Sequence, residues 1–505
     1  MSEIAVTAPP STAASGTGLR RQLGLAGLAA TGICSMLGAA INVIPFMIQR
    51  SVPGIGPHVL SSYAFAAVPA VLAALAYAIL ASAMPRAGGS YIYASRATTP
   101  FLGFVASFSQ WFGLSIAIGV VSYVLVPFLR DVAATVGWAG VATALEVGWI
   151  RVSISLGFLW TFVAVNIRGI ALYERTLIPL MILMFVLGSV VIVAGFAFDH
   201  ADFAAGLLAR EGRLVPDAPP APLRPGPFLA AAALLFSSFI GFDSIAQAGG
   251  EAKDPNRTLP LAIGIAVVSV GTFYMLFTAA VYHAVPWQFI ASEAQQRDLT
   301  APGLLGYLLP EGWTVLIVAG AAVALINDLP AMLLAVSRLM FAWAEDGIFP
   351  RSIAAVHARF GTPHRALVAS GVMASVGILG SHLAGDFFLG VDILVTSMLV
   401  NFLLMCVSVL TLPVTNPPLA ADVGVVPRRG LQIPLAVAGI VLLGTFLVVH
   451  VTNDLRADLD AWYFHSTALW VGVMAAASLV YLRERRTLAA RGVDLRRHFR
   501  TLPPE

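Results

Sequence analysis

From Gln22 to Gln49 the chain runs for 28 residues without a charge, and similar runs recur along its length. Roughly twenty apolar residues in a helix cross the hydrocarbon of a bilayer. The apolar residues come in unbroken stretches rather than at every second position. They therefore read as helices and not as strands of a lipid-facing barrel. Composition agrees, with 58% of the 505 residues hydrophobic, 11% charged and a mean hydropathy of +0.86. A soluble domain carries about a quarter charged residues, so a water-soluble fold is excluded. The chain reads as an all-α polytopic membrane protein with 12 transmembrane helices. They are expected at about 23–48, 58–83, 100–129, 147–167, 175–198, 227–247, 258–284, 312–343, 365–383, 388–412, 431–452 and 462–482.

Two of these spans carry an irregularity. The run from Ala97 to Leu129 is 33 residues long, more than one bilayer thickness, and must tilt or protrude. The fourth span is interrupted by Arg151, whose long side chain can snorkel to the interface.

The charges set the topology. With the N-terminus inside, 21 of the 29 basic residues fall in cytoplasmic connections and the tail, and eight fall outside. Both termini are thus expected in the cytoplasm, and the protein in the cytoplasmic membrane. Arg20-Arg21 followed by an apolar run has the look of a twin-arginine export signal, but the run is too long for a signal core and suits a first span. The one dense basic cluster lies in the tail, from Arg483 to Arg500, where it suits positive-inside anchoring better than nucleic-acid binding. Cys34 and Cys406 lie inside apolar runs and imply no disulfide framework.

The first and sixth spans are broken by small and polar residues. The first contains Gly32-Ile33-Cys34-Ser35-Met36-Leu37-Gly38-Ala39-Ala40-Ile41-Asn42, and the sixth Phe236-Ser237-Ser238-Phe239-Ile240-Gly241-Phe242-Asp243-Ser244. Lipid cannot satisfy unpaired backbone groups, so irregular backbone survives at membrane depth only beside a cavity, ion or substrate. A matched pair of such spans five helices apart points to an inverted-repeat transporter with its site at the repeat interface. Close packing of helices through glycine is the simpler account of either span taken alone.

Three further segments resemble the amino acid–polyamine–organocation (APC) transporter superfamily. The first is the loop Met84-Pro85-Arg86-Ala87-Gly88-Gly89-Ser90-Tyr91-Ile92-Tyr93, leading into Pro100-Phe101-Leu102-Gly103-Phe104. The second runs from Phe239-Ile240-Gly241-Phe242-Asp243 through Gly250-Glu251-Ala252-Lys253-Asp254-Pro255-Asn256-Arg257 to Pro260. The third is Ser337-Arg338-Leu339-Met340-Phe341-Ala342-Trp343-Ala344-Glu345-Asp346-Gly347, followed by Phe360-Gly361-Thr362-Pro363. The likeness covers about residues 20–415. It implies a five-plus-five inverted repeat of the leucine-transporter kind with two accessory helices. Residues 1–18, rich in Ser, Thr, Ala, Gly and Pro, read as a disordered cytoplasmic arm, and 199–226, rich in proline and charge, as an exposed extracellular loop; on the family frame 19–198 are the first repeat. Residues 227–415 are the second repeat, 416–482 the accessory pair and 483–505 a basic cytoplasmic tail.

The resemblance also implies site residues. The family's first break usually carries a Gly-Ser-Gly-like triplet whose amides take a substrate carboxylate. Gly38, Ala39 and Ala40 stand there in this chain, and Asn42, where an aromatic is common, either reaches the substrate or packs. Ser237, Ser238 and Phe239, with Gly241, match the unwound stretch whose carbonyls receive an ammonium. Phe239 or Phe242 either closes over the ligand or packs in the core.

Three acids lie within spans: Asp243, Asp328 and Asp392. Each costs roughly 2.5–3.5 kcal/mol at the bilayer centre and so needs a partner or a purpose. Asp243 either joins a polar network across the sixth break or exchanges a proton. Asp328 sits in Ile326-Asn327-Asp328-Leu329-Pro330 and has no counterpart in the common family pattern. Sodium-coupled relatives place hydroxyls on the eighth span, at positions that fall near Ala331 and Met332 here. Without those hydroxyls Asp328 is the candidate to carry a proton, and sodium held by Asp328 itself is the alternative. Asp392, near the outer end of span ten, suits an interface.

The expected function is a secondary active transporter, not an enzyme, moving an amino acid or small amine by alternating access. Proton coupling leads, with a sodium symporter or an exchanger of the same fold as alternatives. No cofactor and no metal are expected. A membrane-embedded enzyme would need a nucleophile with a base, or a metal cluster, and the nine histidines lie in loops or near span ends. A channel would show a repeated filter motif or rings of charge. A substrate sensor on the same fold stays open. Leu299 to Leu309, too short to span, is either a lid over a cavity mouth or an inert interfacial helix.

Overall fold

The computed structural model describes residues 19–38, 40–219, 222–384, 388–457 and 465–503; the arm 1–18 lies outside them. Every named element among the described residues is a helix. The first span divides into α1 (Leu25–Met36) and α2 (Ala40–Ser51). Then come α3 (Val59–Ala83), α4 (Gly89–Ala97), α5 (Pro100–Thr135), α6 (Ala139–Glu146), α7 (Gly148–Ile167), α8 (Ile170–Ala197) and α9 (His200–Glu211). The sixth span is α10 (Pro225–Leu235), a tight turn of 3-10 helix over Phe236–Phe239, and α11 (Asp243–Gln247). Next are α12 (Pro255–Ala284), α13 (Trp287–Ala294), α14 (Ala301–Leu305), α15 (Glu311–Glu345), α16 (His364–Ala384) and α17 (Phe388–Thr415). Helices α18 (Pro417–Ala421), α19 (Arg429–Arg456), α20 (Ser466–Ala490) and α21 (Leu495–His498) complete the chain.

Eleven of these stretches are long and apolar enough to cross a membrane, counting Leu25–Ser51 as one. The sixth expected span is not among them, because its apolar part is interrupted and ends at Phe239. Large apolar side chains stay exposed on the outer helices, such as Val186, Val193, Val268 and Leu479. A helix apolar on both its packed and its open face is the mark of a chain dissolved in lipid.

Local sequence explains how the long elements begin. Pro100 occupies the first turn of α5, where its missing amide costs nothing, and Thr99 caps the helix by accepting from the Leu102 amide at 3.2 Å. Over 36 residues α5 is about 54 Å long, so it overshoots the hydrocarbon as its charge-free run requires. Arg151 lays its guanidinium 3.7 Å from the Tyr123 ring and donates to the Tyr123 carbonyl at 3.2 Å, which holds it at the start of α7.

Two expected loops are partly helical. The segment after α3 turns at Gly88 and becomes the fully buried α4, packed on the bundle. Residues 199–226 begin with α9, because Asp199 and Asp202 form a reciprocal capping box at its start. Helices α9, α13 and α14 are tied together: Arg213 and Arg297 both pair with Glu293, at 2.8 and 2.7 Å, and the Tyr307 hydroxyl donates to Glu211 at 2.6 Å. That donation, with help from Arg213, holds the Glu211 carboxyl below its usual range.

Both described chain ends meet on one face, the terminal face. The amides of Gln22 and Leu23 donate to the Glu251 carbonyl at 2.9 and 2.8 Å. At the other end the Thr501 carbonyl accepts from Arg96 at 3.1 Å, and the Pro503 carbonyl from Arg86 at 3.1 Å. Two buried ion pairs clamp this face. Arg338 meets Glu251 through two bonds of 2.9 and 2.6 Å, and Arg96 meets Asp346 through bonds of 2.5 and 3.0 Å.

Removing one partner of such a pair leaves a charge buried alone and costs about 3–5 kcal/mol, whereas replacing both by apolar residues of similar size costs far less. Glu251→Ala should therefore lower the unfolding temperature in detergent more than the double variant Glu251→Leu with Arg338→Met. The reverse order in a thermal melt would show that the pair does not clamp the fold.

Candidate functional site

The two breaks cross each other. Helix α1 ends at Met36 and Leu37 leaves helical geometry (φ −93°, ψ 71°), so the last carbonyls of α1 lose their partners within the helix. The Tyr274 hydroxyl from α12 donates to the Met36 carbonyl at 2.5 Å. On the second broken span, Ile240 is extended and Gly241 takes φ +135°. Gly241 lies directly against the α1 backbone: a Cβ there would collide with the Ser35 carbonyl and come within 2.7 Å of the Met36 nitrogen. Only glycine satisfies both the torsion and the approach. The hydroxyls of Ser35 and Ser244, 2.8 Å apart, tie the breaks together.

A cavity of about 100 Å³ opens beside this crossing. Ser35, Met36 and Gly38 line it from the first break, and Ser237 and Ile240 from the second. Val43 and Ile44 of α2 and Leu114, Val121, Val124 and Phe128 of α5 form apolar walls. Asp328 and Met332 of α15 and Gly390, Val391 and Leu394 of α17 complete it. Helix α5 starts and α17 ends on the terminal face, where Thr415 donates to the Ala97 carbonyl at 2.7 Å. Phe128 and Gly390 lie toward the other ends of those helices, so the cavity runs from the breaks toward the face opposite the termini.

Asp328 is the one ionisable residue among the described residues lining this space. It is 6% exposed, and its Oδ1 has no hydrogen-bond partner among the described residues. Ala331 is buried beside it and Met332 lines the cavity, so neither of these positions offers a hydroxyl. Asp243 sits differently. Fully buried at the start of α11, it accepts from the Gln110 amide and from the Gly241 nitrogen at 3.1 Å. From there a polar chain runs through Gln247 and Ser90 (2.7 Å) and Tyr77 (2.6 Å) to the Asn401 amide (2.7 Å). Asp243 is thus held in a network across the sixth break and is not part of the cavity lining.

The other expected site residues are dispersed. Ser237 faces the cavity while its hydroxyl donates to the Leu234 carbonyl at 2.6 Å. Ser238 is buried outside the lining. Phe239 packs edge-on against Tyr63, ring centroids 5.6 Å apart, and Phe242 stacks on Phe402 at 5.0 Å. Asn42 lines a separate, smaller void with Met184 and Phe277. Ala40 opens α2, and Ala39 lies outside the described residues. Sequence reasoning did not single out Gln110, Gln247, Tyr77 or Asn401. Their signal is an amide or phenol inside an otherwise apolar run, most visible for Gln110 in the long third run. No cluster of three His, Cys, Asp or Glu side chains suited to a metal ion occurs among the described residues.

The crossing sets the expected mutational cost. Tyr274→Phe strips the donor from a buried carbonyl and should cost about 1–3 kcal/mol. Gly241→Ala adds a forbidden torsion and a backbone collision and should cost more. Melting of both variants in detergent checks this, and an unshifted Gly241→Ala protein would refute the crossing as described.

The amino acid permease family model matches residues 23–476. An uncharacterized transporter of Mycobacterium tuberculosis is 30% identical over 366 residues, 71% of this chain and 74% of that protein. The low-affinity putrescine importer PlaP of Escherichia coli is 24% identical over 348 residues, covering 68% of this chain and 70% of its own. The branched-chain amino acid permease BcaP of Bacillus subtilis is 25% identical over 473 residues, covering 89% and 93%. With a match spanning most of its length and two broken helices crossing beside a cavity, the chain belongs to the amino acid permease family of the APC superfamily.

Proposed function

We propose that this permease is a secondary active transporter that carries an amino acid or related amine across the cytoplasmic membrane by alternating access, coupled to protons through Asp328. The observation that carries the coupling is a buried carboxylate on the cavity wall with an unpartnered oxygen. A group so placed can take a proton from one side and release it to the other as the cavity changes access. Met332 beside it lines the cavity without offering an oxygen ligand, which speaks against the usual sodium arrangement.

On this reading the chain makes twelve crossings, with repeats over 19–198 and 227–415 and an accessory pair within 416–482. Spans one, two, six and seven rock against three, four, eight and nine around the breaks. The terminal face is cytoplasmic, in keeping with its excess of arginine. Gly38 and Ser237 bring backbone to the ligand. Asp243, held by Gln110 and Gly241, keeps the second break rigid instead of carrying the proton.

Uptake by proteoliposomes tests the proposal, with radiolabelled putrescine, leucine and arginine as probes. Saturable uptake of at least one probe is expected. An imposed proton gradient should drive it, and a protonophore or Asp328→Asn should reduce it about ten-fold or more. Uptake that follows a sodium gradient and ignores both treatments would overturn the coupling.

A further inference from the structure

The Asp328 carboxylate lies against Gly38, two residues before α2 begins at Ala40. A Cβ at Gly38 would collide with Oδ2 and stand 3.1 Å from Oδ1. The leading amides of a helix have no partner within it and carry the positive end of its dipole, which attracts anions. Here an acidic side chain supplied by the protein itself stands against Gly38, just ahead of that end. Asp328 is 6% exposed, lines the cavity and leaves Oδ1 without a partner among the described residues. A ligand carboxylate brought to the same spot would meet a like charge at short range with little water to screen it. A ligand ammonium would meet an unused acceptor.

The remaining walls restrict the rest of the ligand. Val43, Ile44, Val121, Val124 and Phe128 are apolar, and no second acid among the described residues lines the space. A second charge on the ligand would lose its hydration without gaining a partner. We infer, on the reading that this cavity is the transport site, that its ligand is a primary amine with an apolar body and no carboxylate, held through its ammonium by Asp328. Proton and ammonium then occupy the same carboxylate in turn.

Binding to the purified protein, followed by calorimetry, tests this with 3-methylbutylamine, leucine and putrescine. Leucine is 3-methylbutylamine with a carboxylate added, so the pair isolates that one group. The amine should bind about ten-fold or more tighter than leucine, and also tighter than putrescine. This comparison needs no variant. Asp328→Asn, shown to be folded by gel filtration, should weaken the amine about ten-fold or more. Leucine or putrescine binding as tightly as 3-methylbutylamine, or an amine affinity unmoved in folded Asp328→Asn, overturns the inference. Proton-driven leucine uptake with no amine binding would sink the inference and leave the transport reading standing. Absence of saturable uptake for 3-methylbutylamine as well as for putrescine, leucine and arginine would remove both.

Discussion

Two interrupted helices in lipid create a problem that the rest of this structure answers: backbone groups at the breaks cannot turn to water. The answer is local and specific. Tyr274 donates to the Met36 carbonyl, Ser35 meets Ser244, and the Asp243 carboxylate accepts the Gly241 amide. Gly241 lets the two backbones touch, so each break helps to cover the other. The cavity lies beside that crossing, with residues of both breaks in its lining. What the broken backbone leaves over, on the side of α5 and α17, is the space in which a ligand can lie.

Charge is divided between two tasks. On the terminal face, Arg338 with Glu251 and Arg96 with Asp346 make closed, doubly bonded pairs. Glu251, Arg338 and Asp346 come from the segments that resemble the superfamily, and Arg96 lies between the two parts of the first, so much of the resemblance falls on the clamp that holds the fold. Asp328 is the opposite case. It lies outside those segments, it faces the cavity, and one of its oxygens is left without a partner. Closed pairs hold a structure together, whereas an open acceptor beside a cavity is available for a ligand or a proton.

Much of this was legible in the residues. The long apolar runs marked every long helix, since lipid leaves no other way to satisfy a spanning backbone. The small and polar interruptions at 32–42 and 236–244 marked both breaks. The expectation failed where a short-range signal was outweighed. Residues 199–226 looked like an open loop because of their prolines and charges, yet Asp199 and Asp202 cap a helix there. The segment after Pro85 also read as a loop, but burial against the bundle makes α4 helical. Phe239 and Phe242 sit beside the break in sequence, while their rings pack against Tyr63 and Phe402. A residue's position along an irregular stretch does not say which way its side chain leaves the backbone.

The sequence by itself determined the solvent, the helices and the positions of the two breaks, because the hydrophobicity of a run and the torsional freedom of small residues are local properties. It also exposed Asp328 as a charge that a bilayer tolerates only with a partner or a purpose. Tertiary structure alone decided which of two buried acids faces a cavity. Asp243 is closed in by Gln110 and Gly241, whereas Asp328 stands open against Gly38. The contacts of Gln110 with Asp243 and of Gly38 with Asp328 join residues more than a hundred positions apart, brought together by packing rather than by any pattern along the chain.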